Sequence, residues 1–211
     1  MTRPSITQYP SQNRQRIIGL TGGIATGKST VSDYLATQHH LPILDADIYA
    51  REAVAVGSPI LQTLAQRYGN DLLLADGSLN RPHLSTIIFN QPNEKQWVEQ
   101  QIHPFVRQRF NQVRSQHPPQ QTLVYAIPLL FEANLTHLVN EIWVVTCSPQ
   151  QQLKRLITRN SLDQTAAQAR IANQLPLAEK VAQADYILDN SQDRTTLYQQ
   201  IDQILKTLAS T

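Results

Sequence analysis

A single cysteine, Cys147, stands in 211 residues. That excludes an internal disulfide framework and a cysteine-built metal knuckle. No run of 18 apolar residues occurs, so the sequence offers no membrane span. Charge is scarce as well: Asp, Glu, Lys and Arg make up 16% of the chain, against about 25% in a typical globular protein. The formal net charge is only +2, and no basic stripe marks a nucleic-acid surface. Glutamine, present 26 times, supplies polar surface in place of charge. Residues 1–15 are rich in Ser, Gln, Asn and Pro and lack the apolar stretch of a secretory signal. A flexible tail is expected there, and the missing address together with the lone cysteine favours the cytoplasm. With 41% hydrophobic residues, what remains is a soluble globular chain of one core with additions.

From residue 16 onward, short apolar runs alternate with longer amphipathic stretches. The runs lie at 16–20, 41–44, 123–127, 141–146 and 186–188. Continuous apolar runs of this length suit strands buried on both faces, as in a parallel sheet covered by helices. Helices are expected at 28–38, 48–68, 84–89, 94–115, 149–160, 165–174 and 193–209. The alternation implies an α/β fold with right-handed crossovers. Two spacings break it. The 78 residues between Leu44 and Leu123 far exceed one crossover helix, and a second helical insert occupies about 149–180. Insertions at strand ends of such a sheet commonly cover the ligand.

Gly22-Gly23-Ile24-Ala25-Thr26-Gly27-Lys28-Ser29 fills G-x-x-x-x-G-K-[ST] completely, after an apolar strand and before a helix. Glycines let backbone N–H groups turn toward a phosphate, and the helix N-terminus adds its positive end. Lys28 brings a point charge to the β/γ-phosphates, and the Ser29 hydroxyl can ligate Mg²⁺. A nucleoside triphosphate therefore binds here, with Gly22 to Thr30 as its cradle. The loop alone does not choose between kinase, GTPase and regulatory module.

Asp45 and Asp47 follow the second strand, where the ligand crevice of the sheet should open. Two apart on an extended segment, they could face one side together. A carboxylate there could accept the proton of an acceptor hydroxyl. The other reading makes Asp45 a helix N-cap and Asp47 a first-turn partner of the dipole. Arg51, one turn on, could bind an acidic substrate group or form a surface ion pair. Arg155 and Arg159 share a helical face, a repulsive arrangement unless an anion sits against it; a solvated face is the alternative. Cys147 reads as a small core residue, His39-His40 has no partner at metal-ligand spacing, and Trp97 and Trp143 read as packing.

These residues fall into a known pattern. Gly19 to Thr30 reads GLTGGIATGKST, and Asp45 to Arg51 reads DADIYAR. Tyr68-Gly69 and a D-G-x-L-x-R segment at Asp76 to Arg81 follow. Then come Glu99, His103 and Pro104 as E-x-x-x-H-P, and IPLLFE from Ile127 to Glu132. Ser148 to Arg159 carries S-P-x-x-Q-x-x-R-x-x-x-R, and Ala184 to Asn190 carries A-D-Y-x-x-D-N. In order and spacing these seven motifs resemble the dephospho-coenzyme A kinase family from residue 16 to the end.

The resemblance implies a P-loop, nucleoside-monophosphate-kinase-like α/β fold. It would be one domain over 16–211: a five-stranded parallel sheet, a helical substrate insert at about 52–118 and a lid at about 149–180. It implies transfer of the γ-phosphate of ATP, with Mg²⁺, to the ribose 3′-hydroxyl of dephospho-coenzyme A, by a chain expected to act as a monomer. Asp47 would be the base, with Lys28, Arg155 and Arg159 the other catalytic residues and Asp45, Arg51, Arg81 and His103 the acceptor site. Arg81 could hold a pyrophosphate or serve as a cap; His103 could touch substrate or fix the helix bend. Asn190 sits where kinases of this fold contact adenine. Two departures stand out. Ala25-Thr26-Gly27 replaces the usual G-S-G, and Ala25 keeps the loop if its φ is negative or only mildly strained. Ala126 stands where many relatives carry aspartate, leaving Mg²⁺ to Ser29, phosphates, water and Asp45 or Glu132. Shikimate kinases also follow the loop with D-x-D but carry a later Gly-Gly-Gly, absent here; a GTPase would show N-K-x-D, also absent.

Overall fold

The computed structural model describes residues 15–209. Most of the expected tail, 1–14, lies outside the described residues, but its last residue does not. Gln15 is buried, and its Nε2 donates to the carbonyls of Pro118 and Gln121, each at 3.2 Å. A primary amide that finds two acceptors joins the folded chain at little cost, so Gln15 belongs to the folded chain and not to the expected tail.

Five strands form one sheet: β1 Ile17–Gly22, β2 Ile43–Asp45, β3 Leu123–Ala126, β4 Glu141–Thr146 and β5 Tyr186–Asp189, in the order β2-β3-β1-β4-β5. β1 pairs β4 in parallel with Ile18 opposite Glu141, and β4 pairs β5 with Trp143 opposite Tyr186. The central β1 is buried along its whole length, whereas the edge strand β5 buries only Leu188 fully. That contrast follows from position. A central strand is covered on both faces, and its IIGLTG sequence carries no charge to solvate.

Nine helices are described: α1 Lys28–Gln38, α2 Ala46–Ala53, α3 Pro59–Tyr68, α4 Arg81–Asn90, α5 Pro92–Arg114, α6 Pro149–Asn160, α7 Gln164–Ala172, α8 Leu177–Val181 and α9 Arg194–Ala209. The helix expected over 48–68 is two. Val54 ends α2, Gly57 takes φ +82°, and Ser58 then caps α3 by accepting the Leu61 N–H at 3.0 Å, with Pro59 as first helical residue. Apolar spacing continues through Val54 and Val56, but Ser-Pro is a start signal that outweighs it. The short α8 was not expected. It lies in the stretch between two expected elements, where five helical residues leave little periodicity to read.

The chain divides into two compact units. One comprises the chain up to Ile43, His117–Tyr125 and the chain from Leu129 on; the other comprises Leu44–Gln116 and Ala126–Pro128. The first unit's core joins Ile18 and Leu20 of β1 to Val31 and Leu35 of α1, Trp143 and Val145 of β4, and Leu197 and Ile201 of α9. Trp143 is fully buried, and its indole N–H donates to Glu141 Oε1 at 2.9 Å, so burying the ring strands no polar atom. Truncating it to alanine would cost about 3–5 kcal/mol. The second unit packs Leu61 and Leu64 of α3, Leu72, Leu79, Leu84 of α4 and Val98 of α5. No helix among the described residues is long and apolar enough to cross a membrane.

Candidate active site

β1 ends at Gly22 and α1 begins at Lys28; residues 23–27 form the turn between them. The carbonyls of this loop are held, three of them from outside it and that of Gly23 from within. Gly22 O accepts from Lys180 Nζ at 3.3 Å, and Gly23 O from the Thr26 hydroxyl at 2.9 Å. Ile24 O accepts from Gln152 Nε2 at 2.9 Å. Thr26 O accepts from Asn190 Nδ2 at 2.8 Å and, more weakly, from Arg155 Nη1 at 3.5 Å. A peptide unit whose C=O is fixed outward turns its N–H the other way. Apart from Thr26, the bracing side chains come from α6, α8 and the end of β5, so the loop's conformation is set largely by the body of the first unit.

Two residues of the loop take left-handed backbone. Gly27 has φ +105°, and a Cβ there would lie 2.1 Å from Asn190 Nδ2. Only glycine satisfies both demands. Ala25 has φ +61°, which corrects the expectation of a negative or mildly strained value. An L-residue pays about 1–2 kcal/mol for that conformation, and the braced carbonyls of Ile24 and Thr26 on either side impose it.

The N-terminus of α1 is open in a way that five other helices are not. Its cap residue, Gly27, makes no side-chain cap bond, and the first turn holds no acidic residue. By contrast Asp45, Ser58, Asn80, Ser148 and Asp163 each cap the helix that follows them. A helix N-terminus without a side-chain cap, carrying the positive end of the helix dipole, suits an anion. Lys28 and Ser29 are the first two residues of this helix and Thr30 the third, with Ser29 exposed.

Arg155, on α6, is brought to this loop: its Nη2 donates to Asn190 O at 3.0 Å, beside the Thr26 contact. Arg159 is not. It is exposed on the last turn of α6, and its Nε donates to Asn160 Oδ1 at 3.0 Å. Asn190 is buried, and the contact its amide makes is the brace on Thr26. An adenine contact was the expectation from the strand's end. Cys147 is buried too, and burial pushes its thiol above the ordinary range despite the Arg155 guanidinium nearby. A thiol held neutral is a poor nucleophile, in keeping with its reading as core.

Asp45 is the N-cap of α2, accepting the Asp47 N–H at 2.8 Å. Of the two readings of this pair, the cap is therefore realised for Asp45, and Asp47 stands exposed in the first turn. Arg51 is exposed in the last turn of α2, Arg81 is the exposed first residue of α4, and His103 lies half-buried in α5 before Pro104. All five belong to the second unit except that Asp45 also closes β2.

Three residues escaped the sequence reading. Lys180 is fully buried, and its ammonium sits 2.7 Å from Glu132 Oε1. That carboxylate oxygen, a candidate for Mg²⁺ in the sequence, holds an ammonium. Gln174 accepts the Ile24 N–H on Oε1 at 2.7 Å, and Gln152 holds the Ile24 carbonyl as above. Gln152 is the Q of the S-P-x-x-Q motif, so its signal was present. Lys180 and Gln174 carry none, being single polar residues in a helical insert. Among the described residues no group of three or more His, Cys, Asp or Glu could hold a metal.

The dephospho-CoA kinase family model matches residues 16–195. A dephospho-CoA kinase of Trichormus variabilis is 58% identical over 188 residues, 89% of this chain and 95% of its own. One from Synechocystis is also 58% identical over 188 residues, covering 89% and 94%. Among solved structures, TT1252 of Thermus thermophilus superposes with a TM-score of 0.80 at 27% identity, over 92% of this chain and 98% of its own. A family match running from the first strand into the last helix takes in the braced loop and both inserts, and the chain belongs to the dephospho-CoA kinase family.

Proposed function

We propose that the braced loop and the open end of α1 hold the phosphates of ATP, and that Asp47 activates the acceptor, in the reaction of this dephospho-CoA kinase. That reaction moves the γ-phosphate of ATP to the ribose 3′-hydroxyl of dephospho-coenzyme A and completes coenzyme A synthesis. The observation that carries the phosphate assignment is the combination of outward-held carbonyls with a helix N-terminus that no side chain caps. Within the stretch from Gly22 to Thr30, the backbone N–H groups of Gly27, Lys28, Ser29 and Thr30 cradle the phosphates, and Lys28 places its charge on the β/γ-phosphates.

Asp47 accepts the 3′-hydroxyl proton as that oxygen forms its bond to the γ-phosphorus. The bond from phosphorus to the β-bridging oxygen breaks, and its electron pair leaves with ADP. Arg155 and Arg159 stabilise the transferring phosphoryl group. Two of the five guanidinium donors of Arg155 hold backbone carbonyls, which fixes the fork at the loop. Asp45, Arg51, Arg81 and His103 contact the acceptor, and Asn190 shapes the nucleotide site through Thr26.

The residues present fit Mg²⁺ carried in on phosphates rather than held in a protein cage. Mg²⁺ keeps several waters and takes one or two protein ligands beside substrate phosphates, and Ser29 offers a hydroxyl at the start of α1. When bound, the ion neutralises charge on the phosphates. The chain acts as a cytoplasmic monomer on these small molecules, without nucleic acid or membrane.

The test is ADP release on incubation with ATP, Mg²⁺ and dephospho-coenzyme A. Acceptor-dependent ADP is expected; ADP release unaffected by the acceptor would overturn the reading.

A further inference from the structure

Lys180 is an anomaly in the first unit. An ammonium with no solvent exposure is costly unless a counter-charge and hydrogen bonds replace its water. Here both are supplied: Glu132 Oε1 at 2.7 Å and the carbonyl of Gly22 at 3.3 Å. A buried ion pair adds little net stability compared with apolar residues of the same volume, so stability alone gives no reason for a lysine there. Its second partner does. Gly22 is the first residue of the phosphate loop, and a Cβ there would meet Val145 O at 2.6 Å, so the backbone is packed tightly at this point.

Glu132 does more than balance the charge. The same carboxylate oxygen accepts the Leu175 N–H at 3.1 Å, and the neighbouring Gln174 holds the Ile24 N–H. The segment from Gln174 to Lys180 thus touches the loop at both ends, at Ile24 and at Gly22, and Glu132 anchors it at both. We infer that Lys180, with Glu132 as its counter-charge, is a positioning residue: it holds the loop in its nucleotide-binding form by fixing the Gly22 carbonyl. It touches no substrate and acts through the loop's backbone. The inference rests on the loop being the ATP site.

Lys180→Met removes the charge at similar length, Lys180→Met with Glu132→Leu removes the pair, and Glu132→Gln keeps an acceptor without charge. ATP binding is measured by calorimetry, with thermal melting and steady-state kinetics on the same samples. Expected are a rise in ATP Kd of about tenfold or more in both Lys180 variants, a smaller rise in Glu132→Gln, and KM for dephospho-coenzyme A within about twofold. The double variant should melt at or above the single one and still bind ATP weakly. A purely structural role would lower Tm while ATP Kd stays within twofold, and that result overturns the inference. So does a double variant that recovers wild-type ATP affinity. Wild-type protein run alongside separates the two readings: its failure to release acceptor-dependent ADP would indict the reaction, not Lys180.

Discussion

The phosphate loop and the helical unit of Leu44–Gln116 solve their problems with different physics. In the loop almost every bond that sets the conformation runs to backbone: Lys180, Gln152, Asn190, Arg155 and Thr26 all donate to its carbonyls. In the helical unit the bonds that stand out join side chain to side chain. Arg67 is bidentate on Glu94 at 2.8 Å, Tyr68 donates to the same carboxylate at 2.6 Å, and Arg109 reaches Glu52 at 2.9 Å. A backbone cradle must present several N–H groups at once to one anion, so its geometry is over-determined. The helical unit is held by ion pairs between its own helices and leaves other polar groups at the surface. Arg51, Arg81 and Asp47 are exposed there.

The comparison is broken hardest at single atoms. Asp47→Asn should lower kcat by about 10²–10⁴, the usual range for loss of a general base, while ATP Kd stays within a few-fold; activity within a few-fold of wild type would leave Asp47 as part of a cap. Gly27→Ala should be the most damaging loop change, because a methyl cannot share space with the Asn190 amide 2.1 Å away. ATP binding by calorimetry should fall by at least tenfold, with melting lowered as well. Asn190→Ala leaves the Thr26 carbonyl only its longer bond from Arg155 at 3.5 Å and should weaken ATP binding by a few-fold, without touching KM for the acceptor.

Smaller effects sharpen the contrast. Arg67 bonds to Glu94 first of all, then the Tyr68 hydroxyl does, and together they pull the Glu94 carboxyl down to about 2, while burial and Glu94 push the Tyr68 phenol up to about 12. A carboxyl with a lowered folded-state pKa adds stability above its ordinary value near 4.5, and that stability is lost as pH falls through about 2. Melting of wild type should therefore decline between about pH 5 and 2, and Glu94→Gln should show a shallower decline over that window. An identical slope in the variant would remove the triad from the account. Ala25→Gly relieves the φ of +61° but adds freedom to the unfolded chain, so a net gain of about 0.5 kcal/mol is expected by denaturant titration.

Local signals were legible and distant ones were not. The loop, its strand and its helix are contiguous, so G-x-x-x-x-G-K-[ST] carried nucleotide binding and the five apolar runs carried the sheet. The split of α2 from α3 was available in Ser58-Pro59 but masked by Val54 and Val56, which keep helical spacing. Lys180 could not be found, because its partners Gly22 and Glu132 lie 158 and 48 positions away. The strain at Ala25 was hidden for a similar reason: Gln152 and Asn190 impose it, not its neighbours in sequence. In the helical unit, motif residues such as Arg81 and His103 were recognisable by type and spacing, yet the partners proposed for them are ligands, which sequence does not contain.

The most direct measurement of the cradle is an NMR titration of backbone amides with ATP and Mg²⁺, followed by dephospho-coenzyme A. The expected result is that the amides of Gly27, Lys28 and Ser29 shift first and saturate with ATP, while those of Leu61, Leu64 and Leu72 in the helical core stay in place. Loop amides that do not move at saturating ATP would contradict the assignment of this loop as the phosphate site.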